Sequence, residues 1–220
     1  MTLYLDSADF NSWDELMPLG IFKGITTNPI LAAKAGLDYK KINWADMVKH
    51  ASNHGAFEFY AQVYGSSDTY IDWAGELYEI GKKNGIETII KIPLVETAIQ
   101  EVASIKSLGG RILMTACYDA KQMLIAKSLK ADFIAPYFGR MNEAGIDALH
   151  HLSLMAEMNK NSPHKCEVLV ASIRDVEQMI ILSKLGHNKF TISPSVAKEL
   201  IDQKNTIQAY NEFENSVLKS

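Results

Sequence analysis

The segment TIIKIP at residues 88–93 carries three isoleucines and a single charged residue, Lys91. A strand buried on both faces has this nearly continuous apolar composition, whereas a strand with one solvated face alternates apolar and polar residues. The segment Val168–Leu169–Val170 has the same character. Both segments therefore favour a parallel β-sheet that is covered by helices.

Strand-like segments of this kind recur along the chain, and residues with helical spacing lie between them. The predicted strands are Leu3–Leu5, Gly24–Thr27, Phe57–Val63, Thr88–Pro93, Arg111–Cys117, Phe133–Phe138, Glu167–Ser172 and Lys189–Ser193. Alternating strands and helices in a chain of 220 residues predict an α/β fold, the (β/α)8 TIM barrel. An open, doubly wound sheet is the alternative, but it commonly carries a glycine-rich phosphate motif that is missing from this sequence.

No linker or block of charge divides the chain, so residues 1–220 are predicted to form one barrel domain. Residues 206–220 lie beyond the eighth strand and its helix, and they place Ile207, Tyr210, Phe213 and Val217 at helical spacing. This additional C-terminal amphipathic helix must cover an apolar surface. We expect it to pack either on the bottom of the barrel or on a neighbouring subunit of a homo-oligomer.

Composition excludes several classes of protein. The chain has 22 Lys and Arg against 26 Asp and Glu, so no basic excess predicts nucleic-acid binding. No apolar run reaches the roughly 20 residues that a membrane helix needs, and the N-terminus lacks the pattern of a signal peptide. The two cysteines, Cys117 and Cys166, are far apart and have no metal-ligand spacing. These features predict a cytoplasmic protein without nucleic-acid or membrane partners.

Polar residues lie at the carboxyl ends of the predicted strands, and β/α barrels have their active sites at that end. They are Asp6, Thr26, Thr27, Asn28, Gln62, Lys91, Thr115, Tyr137, Arg140, Ser172 and Arg174. A lysine inside a barrel strand is desolvated, which lowers its pKa and leaves a neutral amine that can form a Schiff base. The structural alternative is a lysine that reaches water or pairs with Asp6.

Two further groups near this end suggest chemistry, each with a structural alternative. Tyr137 and Gln62 could position or protonate an oxygen atom near the amine, although buried strand tyrosines are commonly structural. Arg140 and Arg174 suit a bidentate clamp on a phosphate, although surface arginines often form only ion pairs.

A metal site is not predicted. His50 and His54 have the i,i+4 spacing of a ligand pair, but the sequence shows no third ligand near them. We interpret them as part of a helix surface.

A set of motifs then resembles a known family. They are YLDSAD (4–9), GITTNPIL (24–31), AQV (61–63), IIKIPL (89–94), MTACY (114–118), APYFGR (135–140) and VASIR (170–174). In order and spacing they resemble the transaldolase family, and most closely its short-chain branch, which includes fructose-6-phosphate aldolase. The resemblance extends from the first strand to the seventh.

The resemblance implies Schiff-base (class I) aldolase chemistry on a (β/α)8 barrel, without a metal or other cofactor. Lys91 matches the Schiff-base lysine, Asp6 the carboxylate that moves protons, and Thr115 the threonine that holds a catalytic water or stabilises the intermediate. Substrate binding is implied for Thr27 and Asn28 at the sugar hydroxyls and for Arg140, Ser172 and Arg174 at the phosphate. The implied partner is a small-molecule sugar phosphate, and the implied assembly is a pentamer or decamer.

Gln62 and Tyr137 distinguish the two branches of the family. Transaldolases proper resemble each other in having Glu and Phe at these positions, whereas Gln and Tyr resemble the aldolase branch. The main hypothesis is therefore an aldolase, a lyase that cleaves or forms a carbon–carbon bond in a ketose phosphate such as fructose 6-phosphate, with dihydroxyacetone or hydroxyacetone as donor. A transaldolase, a transferase of the dihydroxyacetone unit in the pentose phosphate pathway, is second. Four residues depart from the family motifs: Ile30, Val95, Thr97 and Ala98. Because of these departures, a third hypothesis is a barrel that binds a sugar phosphate without catalysis. A metal-dependent isomerase is a weaker alternative, suggested only by the six histidines.

Overall fold

Eight parallel strands form one sheet in a computed structural model that describes residues 1–160 and 162–218. They are β1 (Thr2–Asp6), β2 (Phe22–Thr26), β3 (Glu58–Gln62), β4 (Glu87–Pro93), β5 (Arg111–Cys117), β6 (Phe133–Pro136), β7 (Glu167–Val168) and β8 (Lys189–Ile192). Each strand pairs with its neighbour in sequence from β1 to β7, and β1 also pairs with β8. Val170, just after β7, bridges to Phe190 in β8 and brings the two ends of the sheet together. The (β/α)8 barrel prediction is confirmed.

Helices lie between successive strands and cover the outside of the barrel, and the last two helices follow β8. Their bounds are α1 (Phe10–Leu16), α2 (Pro29–Lys34), α3 (Trp44–Asn53), α4 (Tyr70–Lys83), α5 (Glu96–Ile99), α6 (Val102–Ser107), α7 (Lys121–Ser128), α8 (Phe138–Glu143), α9 (Ala148–Lys160), α10 (Val176–Lys184), α11 (Pro194–Ile201) and α12 (Lys204–Leu218). None of the helices within the described residues is long and apolar enough to cross a membrane.

The sixth and seventh strands are shorter than the sequence predicts. The prediction placed Tyr137 inside the sixth strand, but the strand ends at Pro136 and Tyr137 is the residue that precedes helix α8. The first two amides of α8, those of Phe138 and Gly139, donate to the carbonyls of Ala171 and Ser172. Because these amides bond the chain after β7, the backbone turns into a helix and leaves Tyr137 at the rim of the barrel.

Apolar side chains from β1, β3, β4, β5 and β6 and from the segment after β7 fill the barrel interior. This inner cluster consists of Tyr4, Tyr60, Ile89, Leu113, Phe133, Ala135, Leu169 and Ala171. Glu58, only 2% exposed, lies below it, accepts 2.7 Å hydrogen bonds from the hydroxyls of Tyr4 and Tyr60, and pairs with Lys23 and Arg111. Burial alone would raise the pKa of Glu58, but the hydrogen bonds from Lys23 and the tyrosines hold that pKa below its usual value. A satisfied charge network therefore closes the amino-terminal end and leaves the carboxyl end open.

Helix α12 does not pack on the bottom of the barrel, so that alternative of the sequence analysis is wrong for the single chain. None of its described residues is buried, and Phe213 is 68% exposed. The other alternative, contact with a neighbouring subunit, stays a prediction. Residues 219 and 220, the end of the predicted helix, lie outside the described residues.

Candidate active site

A cavity of about 320 Å³ opens at the carboxyl ends of the strands. That volume lies at the lower end of the range for small-molecule sites. The cavity is lined by nine of the eleven strand-end polar residues that the sequence analysis identified: Asp6, Thr26, Asn28, Lys91, Thr115, Tyr137, Arg140, Ser172 and Arg174. They come from different strands, so the closed barrel brings together residues that are far apart in sequence.

Lys91 lies on β4 and points into the cavity from its floor. Its side chain is buried, and its Nζ donates a 2.8 Å hydrogen bond to the carbonyl of Thr27. Burial lowers the pKa of the Lys91 ammonium, and the nearby charge of Asp6 opposes that shift only in part. The amine is therefore held in an environment that favours its neutral, nucleophilic form.

Asp6 is held in place by hydroxyl groups. Thr26, its register partner on β2, donates a 2.6 Å hydrogen bond to Asp6 Oδ1, and Thr26 Oγ1 also contacts Thr191 Oγ1 on β8. Both threonines line the cavity. The sequence analysis noted Thr26 among the strand-end residues but assigned it no role, and it missed Thr191, which lies within its predicted eighth strand. The alternation of inward and outward residues along that strand was the signal that could have found it.

Thr115 and Tyr137 form a second hydroxyl pair on the opposite side of the cavity. Thr115 Oγ1 lies 2.9 Å from the phenol oxygen of Tyr137. Burial raises the pKa of the Tyr137 phenol, although the hydrogen bond with Thr115 acts the other way. The phenol therefore keeps its proton near neutral pH and can donate it to a ligand or a water molecule.

The outer part of the cavity carries positive charge. Arg140 lies over the ring of Tyr137 with Cζ 5.1 Å from the ring centre, and Arg174 Nε forms a 2.7 Å ion pair with Glu143. The hydrogen bond from Arg174 lowers the pKa of Glu143, which keeps the carboxylate ionised. Arg174 is thus partly neutralised, whereas Arg140 makes no ion pair with any residue that the structure describes.

Ser172 lines the same cavity as these arginines, and its backbone has an uncommon conformation. Its φ of 61° is in the left-handed region, and its hydroxyl is buried without a hydrogen-bond partner among the described residues. A buried polar atom without a partner is rare in folded proteins. Ser172 and Arg140 both line the cavity.

Two predicted site residues are not among those that line the cavity. Gln62 is the register partner of Lys91. Its backbone carbonyl accepts a hydrogen bond from the hydroxyl of Tyr39, and its backbone amide donates one to the same hydroxyl oxygen. Thr27 has a buried hydroxyl, and only its backbone carbonyl contacts Lys91. The hydroxyl at the end of β2 that lines the cavity is therefore that of Thr26 and not that of Thr27.

Asn28 and Ile30 lie where α2 begins. The amide oxygen of Asn28 caps the helix by accepting from the backbone amides of Ile30 and Leu31, so only its NH2 group remains for a ligand. Ile30 lines the cavity and is 51% exposed. Of the four departures from the family motifs, Ile30 is the one that lines the cavity, whereas Val95, Thr97 and Ala98 do not.

The comparison with known proteins identifies a family. The family model described as Transaldolase/Fructose-6-phosphate aldolase matches residues 3–219. The chain belongs to this family.

Curated relatives of this transaldolase-family chain carry the name "Probable transaldolase". The relative from Anaeromyxobacter sp. (strain K) is 30% identical over 203 residues, which cover 91% of this chain and 88% of the relative. The relative from Jannaschia sp. (strain CCS1) is 29% identical over 213 residues, which cover 97% and 94%.

Solved structures with low sequence identity show the same fold. The tryptophan synthase A-subunit from Pyrococcus furiosus superimposes with a TM-score of 0.62 at 15% identity, over 90% of this chain and 88% of that one. Thiamine phosphate pyrophosphorylase from the same organism gives a TM-score of 0.60 at 12% identity, over 90% and 93%. At this identity the likeness concerns the barrel alone.

Proposed function

We propose that this member of the transaldolase family is a class I aldolase that cleaves or forms a carbon–carbon bond in a ketose phosphate, such as fructose 6-phosphate. The observation that carries the proposal is Lys91, a buried lysine at the floor of a cavity with its pKa lowered by burial. An amine in that state attacks a ketone carbonyl at neutral pH.

The proposed cleavage begins when Lys91 Nζ adds to the ketone carbon and water leaves, which gives an iminium ion. A base removes the proton from the hydroxyl two carbons away from the iminium carbon, the C4 hydroxyl of fructose 6-phosphate. The C3–C4 bond then breaks, C4 becomes the carbonyl carbon of the aldehyde, and the electron pair of the broken bond flows into the iminium to form an enamine. Asp6 is the carboxylate placed near Lys91 for the proton transfer, and Thr26 fixes the orientation of its Oδ1. The aldehyde phosphate then departs.

Release of the donor requires a proton on the enamine carbon and a water on the resulting iminium. The Tyr137 phenol keeps its proton because burial raises its pKa, and Thr115 holds that phenol by a 2.9 Å hydrogen bond. The pair can therefore deliver the proton and hold the water. Hydrolysis frees dihydroxyacetone or hydroxyacetone and restores the Lys91 amine.

The phosphate of the substrate would lie at the outer part of the cavity. Arg140 offers a guanidinium without an ion pair among the described residues, and Ser172 offers a buried hydroxyl without a partner. Both groups donate to phosphate oxygens. Arg174 would join them by exchanging its contact with the exposed carboxylate of Glu143 for one with the phosphate.

Borohydride trapping tests the proposal. Incubation with dihydroxyacetone or fructose 6-phosphate, followed by borohydride and digestion, is expected to place a stable adduct on the peptide that bears Lys91. Lys34→Met is the matched control, since Lys34 lines the same cavity but lies at its mouth on α2, and it should leave the adduct unchanged. A binding signal by calorimetry without adduct or carbon–carbon cleavage would instead support a barrel that binds a sugar phosphate without catalysis.

Tyr137→Phe separates the two enzymatic alternatives. If the phenol protonates the enamine, this variant should lose free aldolase activity by about 10²- to 10⁴-fold, the usual contribution of general acid catalysis. Transfer of the dihydroxyacetone unit to an acceptor aldehyde needs no protonation of the enamine carbon and should fall much less. The measurement is cleavage of fructose 6-phosphate with and without an acceptor sugar phosphate, and equal losses in both assays would contradict the proposed role.

A transaldolase is the second candidate, because the curated relatives carry that name. It shares the Lys91 iminium and the same phosphate contacts, so the trapping experiment does not separate the two. Wild-type turnover that depends on an acceptor aldehyde phosphate would favour the transferase. Release of free dihydroxyacetone at a comparable rate without acceptor would favour the lyase.

A further inference from the structure

Three side chains from two outer helices converge on one point away from the cavity. Asp14 lies on α1, His50 lies in the last turn of α3, and His54 caps the end of α3. The Nε2 atoms of His50 and His54 lie 2.7 Å and 3.1 Å from the same oxygen, Asp14 Oδ1. Among the described residues, this is the one group of three or more His, Cys, Asp or Glu side chains whose ligand atoms converge. The sequence analysis found no third ligand for the two histidines, and the fold supplies it in Asp14.

The hydrogen bond at the other side of His54 fixes which ring nitrogen carries a proton. His54 Nδ1 lies 2.9 Å from the backbone carbonyl of His50. A carbonyl only accepts, so Nδ1 carries the hydrogen and donates. In the neutral ring Nε2 then has a lone pair, and that lone pair lies 3.1 Å from the carboxylate oxygen of Asp14. Two electron pairs at this distance repel each other unless a proton or a metal ion lies between or beside them.

Metal-binding histidines commonly have this arrangement. One ring nitrogen binds the ion while the other donates to a carbonyl or carboxylate, which fixes the ring and strengthens the ligand. Two histidines at i and i+4 on one helix face are a known zinc-binding spacing. Ligand atoms at about 2.0–2.2 Å from one ion lie roughly 3 Å from each other, which matches both nitrogen–oxygen distances.

Packing holds the two imidazoles in the orientation that binding requires. The ring of His50 stacks between Phe10 and His54, with ring centres 4.4 Å apart on each side and interplanar angles of 12° and 23°. Little side-chain freedom is then lost when an ion binds, and preorganised ligands bind more tightly for that reason. His50 and His54 retain 28% and 27% of their side-chain exposure, so an ion can reach them from solvent.

We propose that Asp14, His50 and His54 form a binding site for a divalent transition-metal ion, with Zn²⁺ as the probe. Imidazole and carboxylate ligands suit zinc and its neighbours in the first transition row and not Mg²⁺, which prefers oxygen ligands. The bound ion would connect α1, which follows the strand that carries Asp6, to α3, which leads into β3. Water would complete the coordination, since Asp14 is half exposed.

Calorimetric titration of the full chain with Zn²⁺ tests the site. Wild type should bind one equivalent, and His50→Gln, His54→Gln and Asp14→Asn should each weaken binding at least tenfold, because even outer-shell partners contribute about 10- to 100-fold to metal affinity. His150→Gln is the matched control, since it removes an exposed helical histidine outside the group and should leave the affinity unchanged. Mg²⁺ at the same concentration should give no heat that these variants remove.

Two further measurements assign the effect to the site. Zinc at a hundredfold excess over its dissociation constant should raise the Tm of wild type by roughly 5–10 °C, and it should raise the Tm of His54→Gln by at most about half as much. Long-range proton–nitrogen NMR should show that zinc shifts the Nε2 resonances of His50 and His54. Zinc binding that survives in all three variants, or no one-equivalent binding to wild type, would overturn the proposal and leave the cluster as an ion pair.

Discussion

Replacing Lys91 with methionine is expected to remove carbon–carbon bond cleavage by about 10⁴- to 10⁶-fold, the order of loss that follows deletion of a covalent nucleophile. Methionine has a similar length and is apolar, so it fills the same space on β4 without an amine. The expected loss follows from the position of Nζ, which is the buried amine at the floor of the cavity. Steady-state cleavage of fructose 6-phosphate measures it.

The same substitution is expected to stabilise the fold. Burial lowers the pKa of Lys91 in the native chain relative to its usual value of 10.5, so the unfolded chain binds more protons between these two values. Stability of the wild type therefore rises with pH across that window, and the desolvation cost is largest below the native pKa. The Tm of Lys91→Met should exceed that of wild type most at low pH, and the difference should shrink as pH approaches 10.5.

Thermal unfolding as a function of pH checks this sign. Lys34→Met, which removes a lysine at the mouth of the same cavity, should give a Tm difference that does not change across that window. A lower Tm for Lys91→Met at every pH would show that the lysine contributes more through its hydrogen bond to Thr27 than its burial costs. Retained cleavage activity would reject Lys91 as the nucleophile.

Replacing Gly24 with alanine is expected to lower the stability of the fold, because the added methyl group has no room between β2 and β3. A Cβ at this position would overlap the carbonyl oxygen of Glu58 and lie 2.8 Å from its carbonyl carbon. Gly24 and Glu58 are register partners on β2 and β3, so the overlap is with backbone that cannot rotate away. Overpacking typically costs about 1–3 kcal/mol, which corresponds to a Tm decrease of roughly 2–12 °C for a chain of this size.

Gly75→Ala is the matched control for this prediction. Gly75 lies inside α4, and its Cβ would be 3.8 Å from Leu108 Cδ1, an ordinary contact. Alanine is favoured over glycine in a helix interior by about 1 kcal/mol, so this variant should be at least as stable as wild type. Differential scanning calorimetry measures both. Equal Tm values for the two variants would mean that β2 and β3 can separate without cost, contrary to the register in the structure.

Much of the barrel could be predicted because buried parallel strands have a composition of their own. The fifth strand, Arg111–Cys117, has the predicted bounds, since its apolar run has no competing turn signal. The sixth and seventh were predicted too long, because the apolar composition continues past Pro136 and Val168 while the backbone no longer follows a strand ladder. An apolar composition indicates that residues are buried, and the residues after these two strands stay buried although they make no further regular strand pairing.

The candidate site was predictable to a similar extent. Lys91 was identifiable because a charged residue inside an apolar strand conflicts with its surroundings. Thr26 and Thr27 carry the same side chain in adjacent positions, and their sequence did not show which one lines the cavity. The sequence also did not show whether Gln62 lines the cavity. Gln62 pairs with Lys91 in the sheet, but it is not among the residues that line the cavity.

The sequence by itself determined the alternation of strands and helices, the buried lysine and the family to which the motifs belong. These are local properties, since each depends on the composition and order of a few neighbouring residues. The tertiary structure alone decided the pairs that define both sites: Tyr137 with Thr115, Asp6 with Thr26, and Asp14 with His50 and His54. These contacts join residues that are 20 or more positions apart, so they exist only when the barrel closes and fixes which strands and helices are neighbours.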